Sequence, residues 1–308
     1  MSEPTTKPRT TSRIVPCLWM DDQAEEAARF YTSALPEGRI HAIARYPETG
    51  ANPAVRAPGS VLTVEFEVAG QRFTAVNGGP VFTMNPSLSF FVFVDTAAEA
   101  DRLHAALVDG GSELMPLGAY PWSERYAWVR DRYGATWQIT AGRREGGPVI
   151  VPCFMFAGRQ HGRAAEAIAH YTKVFRDSEV SSIERYAEGA GPAGMVVHGR
   201  FTIAGQPMCA MDAHAPMDVD FDEGLSLQVM CRDQAEVDYY WDALAEGGRH
   251  VQCGWLADRF GFSWQVVPDR IAEWMTHPDP AARERAARAV WSMRKLDIAT
   301  IEAALAGR

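Results

Sequence analysis

The sequence predicts an α+β fold: two tandem domains, each a pair of βαβββ modules forming a curved mixed sheet, plus a C-terminal helical tail. Three observations carry that prediction. DRYGATWQ at 131–138 returns as DRFGFSWQ at 258–265, with Asp131, Arg132, Gly134, Trp137 and Gln138 matching Asp258, Arg259, Gly261, Trp264 and Gln265. IVPC at 14–17 returns at 150–153, AGQ at 69–71 at 204–206, and ALVDGG at 106–111 as ALAEGG at 243–248. The repeats keep one order, which marks a tandem duplication. Within each half, the order strand, helix, three strands is read twice.

Residues 1–12 are polar and read as a disordered lead-in. The first domain spans 13–142, a Gly-rich charged linker 143–148, the second domain 149–269 and the tail 270–308. Ile14–Met20 is an apolar run, hence a strand. Asp22 with Glu25 three residues on is a capping-box pattern. Ala24, Ala27, Ala28, Tyr31, Ala34 and Leu35 follow at helical spacing and predict a helix over 23–35. Strands follow at about 39–46, 60–68 and 71–77, the last two flanking a hairpin turn at Ala69-Gly70. The pattern restarts with a strand at 88–94, a helix at 97–108 and strands near 113–115, 125–131 and 135–140. The second half repeats it, with helices near 161–174 and 233–246. After the break HPDP at 277–280 the tail is helical, with Val290, Trp291, Met293 and Leu296, and should pack on its own domain or on a partner chain.

Composition narrows the function. Hydrophobic residues make 47% and charged residues 22%, enough for a packed core. The net charge of −9 and pI near 5.4 argue against nucleic acid, whose binding needs a basic surface. No apolar run reaches the ~20 residues of a membrane span. Five cysteines with no CxxC support neither a zinc knuckle nor a disulfide framework, and a reducing cytoplasm is the simplest setting. GxSxG, HExxH and P-loop patterns are absent from the sequence. The one GxGxxG, at 189–194, contains Pro192 and precedes an apolar strand, so no helix N-terminus stands ready for a phosphate.

Several residues can carry chemistry. Glu65 and Glu67 share one strand face, and a buried carboxylate there would act as a general base. Two carboxylates on a wet strand face are the competing reading. Trp122 lies in WSERY, a stretch about ten residues longer in the first half, which reads as a lid or a plain capping loop. Asn77 opens the turn NGGP. His198, Asp212 and His214 would form a facial triad for a divalent metal, or else a strand end beside an exposed acidic loop. Cys17 and Cys153 read as small core residues. Trp137 and Trp264 read as core anchors beneath the helices.

The duplicated βαβββ pattern resembles the vicinal oxygen chelate superfamily of glyoxalase I, extradiol dioxygenases and bleomycin-resistance proteins. AGQRFTAVNGGP (69–80), YPWSERYAWVRDRYGATWQ (120–138), CGWLADRFGFSWQVVP (253–268) and RKLDIATIEAAL (294–305) resemble its PhnB-like branch, often labelled 3-demethylubiquinone 3-methyltransferase. The resemblance covers nearly all of 13–306 and implies two glyoxalase-like domains with concave ligand faces. It also implies four inward positions per half for metal ligands: Val15, Phe73, Ser89 and Gln138, then Val151, Met208, Ser226 and Gln265. Only the glutamines have ordinary ligand chemistry, short of the ~3 ligands a catalytic ion needs. By the same analogy, Gln138 and Gln265 lie on the concave floor.

These readings converge on a cytoplasmic small-molecule-binding protein with concave apolar cavities, one of them degenerate, and no favoured cofactor. The expected ligand-binding set is Gln138, Gln265, Ser89, Ser226, Phe91, Trp122 and Asn77. The alternatives are a metal-assisted or acid-base enzyme on a small oxo or aromatic substrate, with Glu65 or Glu67 as catalytic groups, and a module that homodimerises through its tail. A methyltransferase activity does not follow from the residues.

Overall fold

A computed structural model of the protein describes residues 13–48, 54–142, 149–188, 191 and 193–308. The expected lead-in, the linker and three of the six residues of the GxGxxG segment (189, 190 and 192) lie outside the described residues.

The elements run in chain order as β1 (Ile14–Met20), α1 (Ala24–Ala34), β2 (Arg39–Arg45), β3 (Val61–Val68), β4 (Gln71–Asn77), β5 (Leu88–Val94), α2 (Ala97–Val108), β6 (Ser112–Tyr120), β7 (Ser123–Arg130) and β8 (Thr136–Ala141). The second half continues with β9 (Ile150–Phe156), α3 (Ala164–Val174), β10 (Glu179–Arg185), β11 (Val196–Ile203), β12 (Gln206–Asp212), β13 (Leu225–Cys231), α4 (Gln234–Ala245), β14 (Arg249–His250), β15 (Trp255–Ala257) and β16 (Ser263–Pro268). The tail holds α5 (Ile271–Met275), α6 (Pro280–Ser292) and α7 (Ile298–Leu305).

Two eight-stranded mixed sheets result. One has the order β14-β15-β16-β13-β1-β4-β3-β2, the other β10-β11-β12-β9-β5-β8-β7-β6. Each is a pair of βαβββ modules, and each draws its modules from opposite halves of the chain. The first sheet is closed by β1 antiparallel to β13 (Ile14 opposite Val229), the second by β5 antiparallel to β9 (Leu88 opposite Phe154). The duplication is therefore interlocked: neither half completes a sheet by itself.

Strand alternation decides which face is which. On β3, Val64, Phe66 and Val68 are fully buried against the helices, and Thr63, Glu65 and Glu67 take the opposite, concave face. The helix-side faces of both sheets share one core. Tyr31, Phe66, Phe73, Phe90 and Trp137 pack there from the first half, and Phe154, Tyr171, Phe260 and Trp264 from the second. The hairpin turn at Ala69-Gly70 has both residues at positive φ (49° and 77°), as a two-residue type I′ turn requires.

The repeated eight-residue stretch is a structural anchor. Asp131 is buried and accepts the backbone N–H groups of Tyr133 and Ala135 at 2.9 and 3.1 Å. Its second oxygen accepts Trp137 Nε1–H at 2.7 Å and the Tyr31 hydroxyl at 2.8 Å. Asp258 repeats this with Phe260, Phe262, Trp264 and Tyr171. One carboxylate thus fixes the turn, the indole behind it and the helix of the neighbouring module. Gly134 and Gly261, at φ 98° and 84°, let each turn close.

Two local expectations are corrected. The capping box at Asp22 and Glu25 does not form: α1 has Gln23 at its N-cap with no side-chain bond, and Asn77 Oδ1 accepts the Ala24 N–H at 2.9 Å instead. The WSERY stretch is not a lid loop. Its residues form the β6–β7 hairpin, which shrinks to β14–β15 in the other sheet, and Trp122 stands at its exposed tip.

Candidate functional site

The concave face of the first sheet encloses a cavity of about 370 Å³. Strand parity builds its floor. Cys17 comes from β1, Thr74 from β4, Gln228 from β13, Gln265 from β16, and Thr63 and Glu65 from β3. Trp19, Tyr46 and Trp255 form the walls. The tail supplies the roof, through Ile271 and Met275 of α5, Val290 and Trp291 of α6, and Leu296. Gln252 Nε2–H donates to the Trp291 carbonyl at 3.0 Å, and Ile298 N–H to Gln234 Oε1 at 2.9 Å, which ties the roof to the second module. The tail's apolar residues are spent on this chain: Trp274, Ala286, Val290, Leu296 and Ile301 are buried in a small core of their own.

A hydrogen-bonded chain runs along the floor. Thr74 Oγ1–H donates to Gln228 Oε1 at 2.9 Å, Gln228 Nε2–H to Gln265 Oε1 at 3.1 Å, and Gln265 Nε2–H to Ser226 Oγ at 2.9 Å. Reversing both amides gives a chain of the same kind in the opposite sense. In either sense Gln228 keeps one amide N–H for a ligand, and the second N–H of Gln265 meets only the weakly accepting Cys17 sulfur, which a ligand oxygen can displace. Cys17 lies against this chain, and burial pushes its thiol up to about 11, against hydrogen bonds with Gln265 and Ser226. It is therefore a neutral wall group at pH 7.

The two glutamates part company. Glu65 lines the cavity, and among the described residues no hydrogen-bond donor engages its carboxylate. Burial raises its pKa above the ordinary 4.5, with Arg72 pulling the other way. Glu67 points to the sheet edge, where His41 Nε2 lies 3.0 Å and Arg72 Nε 3.9 Å from its oxygen.

The expected ligand-binding residues fall into four places. Gln265 and Ser226 belong to this floor. Gln138, Ser89 and Phe91 occupy the concave face of the second sheet, where the Tyr126 hydroxyl donates to Gln138 Oε1 at 2.6 Å and Gln138 Nε2–H to Ser89 Oγ at 2.8 Å. Phe91, Tyr126, Val151, Cys153 and Cys209 pack together on that face, with Phe93, Tyr120 and Trp128 against them. Trp122 is 61% exposed and stacks on Tyr120. Asn77 is committed to structure: its amide holds Ala24 N–H and the Val61 carbonyl, and its own carbonyl accepts the Tyr46 hydroxyl. The residue reading missed Gln228 and Thr74. Gln228 sits two residues after Ser226 on the same strand face, a signal parity could have supplied.

The same parity tests the metal positions. Phe73 and Met208 face the helix-side core, so their inward neighbours are Thr74 and Cys209. The corrected set on the first sheet is Val15, Thr74, Ser226 and Gln265, with the amide carbonyl of Gln265 already accepting Gln228. Hydroxyls and one engaged amide do not fit a catalytic divalent ion. His198, Asp212 and His214 are not brought together as a ligand set. Both Asp212 oxygens accept backbone N–H groups, from Ala164 at 3.0 Å and Val196 at 2.8 Å. His214 stands beside Tyr186, and His198 meets Phe91 edge-on. Among the described residues, no group of three His, Cys, Asp or Glu is placed to hold a metal ion.

A family model described as 3-demethylubiquinone-9 3-methyltransferase matches residues 12–140 and again 148–267. Among solved structures, the PhnB protein from Bacillus cereus is 35% identical, over 42% of this chain and 100% of that one, with a TM-score of 0.39. Glyoxalase I from Zea mays is 10% identical over 85% of this chain and 95% of that one, with a TM-score of 0.56, a likeness of fold alone. A glyoxalase/bleomycin resistance protein from Albidiferax ferrireducens is 17% identical over 41% of this chain and 95% of that one, with a TM-score of 0.28. No curated protein matches. With both halves fitting one family model, and with a fold shared with glyoxalase I, the chain belongs to the 3-demethylubiquinone-9 3-methyltransferase family.

Proposed function

We propose that the protein binds a small, neutral, planar aromatic compound bearing a carbonyl-type oxygen, in the roofed cavity of the first sheet and without a metal. The supporting observation is the polar floor set inside apolar walls. Gln228 keeps a free amide donor and Gln265 one that meets only the Cys17 sulfur, the Glu65 carboxyl disfavours its charged form, and Trp19, Trp255 and Trp291 supply flat apolar surface. Among the described residues, no lysine or arginine lines the cavity. Such a floor selects oxygen acceptors and gives an anion no counter-ion. Binding should quench the wall tryptophans. Titration with a neutral aryl ketone such as 1-acetylnaphthalene should saturate at one molecule per chain, and Gln265→Ala should weaken it about tenfold, the ~1 kcal/mol of one hydrogen bond. Failure of several aryl ketones and aldehydes to saturate would remove this reading.

A second reading rests on Glu65, an unpartnered carboxyl beside those donors. With the ligand oxygen held by the amides, Glu65 would take or give the proton next to a carbonyl group. Deuterium exchange at that carbon, lost in Glu65→Gln with binding retained, would support it. Equal exchange in both proteins would end it.

A further inference from the structure

The duplication contains its own control for a second site. Cys17 on β1 is paired with Thr74 on β4; at the equivalent place in the second sheet, Cys153 on β9 is paired with Cys209 on β12. Two thiols therefore stand side by side on adjacent parallel strands, where the other sheet has a thiol and a hydroxyl. Neighbouring strands run about 4.8 Å apart, inside the ~4.4–6.8 Å range of Cα separations that a disulfide spans. Both cysteines are free and face the concave side, 0% and 3% exposed. His198, on the next strand β11, takes the place of Thr63 and hydrogen-bonds Cys209. Arg200, opposite Cys209 in the β11–β12 register, takes the place of Glu65 and pairs with Glu184 at 3.8 Å.

We propose that Cys153 and Cys209 are a reactive dithiol that hydrogen peroxide converts to a disulfide joining β9 and β12. The electrostatics agree with this geometry. The Cys209 thiol is held below the ordinary thiol range, first by its hydrogen bond with Cys153 and then, against burial, by the His198 ring. Burial and the same bond push Cys153 up, so it is the thiol that keeps its proton. Burial also limits the reagent to one of water-like size.

The Cys209 thiolate attacks one peroxide oxygen, the O–O bond breaks, and the departing hydroxide takes a proton from His198 and leaves as water. The sulfenic acid on Cys209 is then attacked by the Cys153 sulfur. The S–O bond breaks, the S–S bond forms, and the hydroxide leaves as a second water with the Cys153 proton. Two thiols are oxidised by two electrons and one peroxide is reduced to two waters.

The test uses the full chain, treated with a small excess of hydrogen peroxide at neutral pH and then denatured. Titratable thiols should fall from five to three. A non-reducing peptide map should join the peptides that carry Cys153 and Cys209. Cys153→Ser should stop at a sulfenic acid on Cys209 that dimedone traps, and Cys17→Ser should leave the bridge unchanged. Five thiols surviving a dose that oxidises free cysteine would overturn the proposal, as would loss of Cys253 or Cys17 without the bridge. If Cys153→Ser does not fold, the peptide map of the unaltered chain decides.

Discussion

At the scale of single residues, the cavity is governed by how little charge it contains. Gln228 and Gln265 satisfy each other, and Gln228 still offers a free N–H and Gln265 one that meets only the Cys17 sulfur, so their removal should cost binding without unfolding the sheet. Gln228→Ala removes an acceptor for Thr74 and a donor for the ligand; a loss of roughly tenfold in affinity, by fluorescence titration, is expected. Glu65 adds a pH dependence whose sign follows from its raised pKa. The folded state prefers the protonated carboxyl, so its contribution to stability is complete below the ordinary value of 4.5 and is lost as pH rises through the folded pKa. Glu65→Gln should flatten that part of the melting-temperature profile. An unchanged slope would mean that the carboxyl is solvated. Glu67 stands apart from the cavity, at the sheet edge beside His41 and Arg72.

At the scale of elements, the anchor aspartates dominate. Asp258→Ala would strand a hydroxyl, an indole N–H and two backbone N–H groups in the core. At ~1–3 kcal/mol for each buried unsatisfied group, partly relieved by relaxation, a loss of about 3 kcal/mol or more is expected from denaturant unfolding. Asn77→Ala should cost about 1 kcal/mol, because the same amide caps α1 and bonds β3. Most of these elements were legible in the sequence: Ile14–Met20 matches β1 to the residue, and the Trp137 and Trp264 anchors are where helix-side parity put them. Asn77 was not legible as a cap, because its partner Ala24 lies 53 residues away in the chain. The Asp22 capping box looked sufficient locally, and a long-range bond replaced it. The β6–β7 hairpin was misread because Gly, Pro, Trp and Ser in GAYPWSE carry turn chemistry that a long twisted hairpin also uses.

At the scale of the molecule, the repeat was visible but the interlocking was not. Offsets between repeats show that two halves exist; they do not say which module edges meet, since β1 could pair with β5 as readily as with β13. The observed pairing predicts that residues 13–142 cannot complete either sheet alone. That fragment should associate with itself, β1 pairing with β5 of a second copy, and light scattering should find a dimer; a folded monomer would contradict the interlocked sheets. The tail explains why the two concave faces differ. It roofs one of them, while the other carries packed aromatic side chains and a pair of cysteines. Trp291→Ala should therefore open the roof and weaken binding while leaving the second sheet's thiol chemistry intact. The most direct test of the central claim is the stoichiometry and floor dependence of aryl ketone binding by calorimetry. One site per chain, weakened about tenfold by Gln265→Ala and unaffected by Gln138→Ala, is the predicted result. Two equivalent sites, or equal sensitivity to both substitutions, would contradict it.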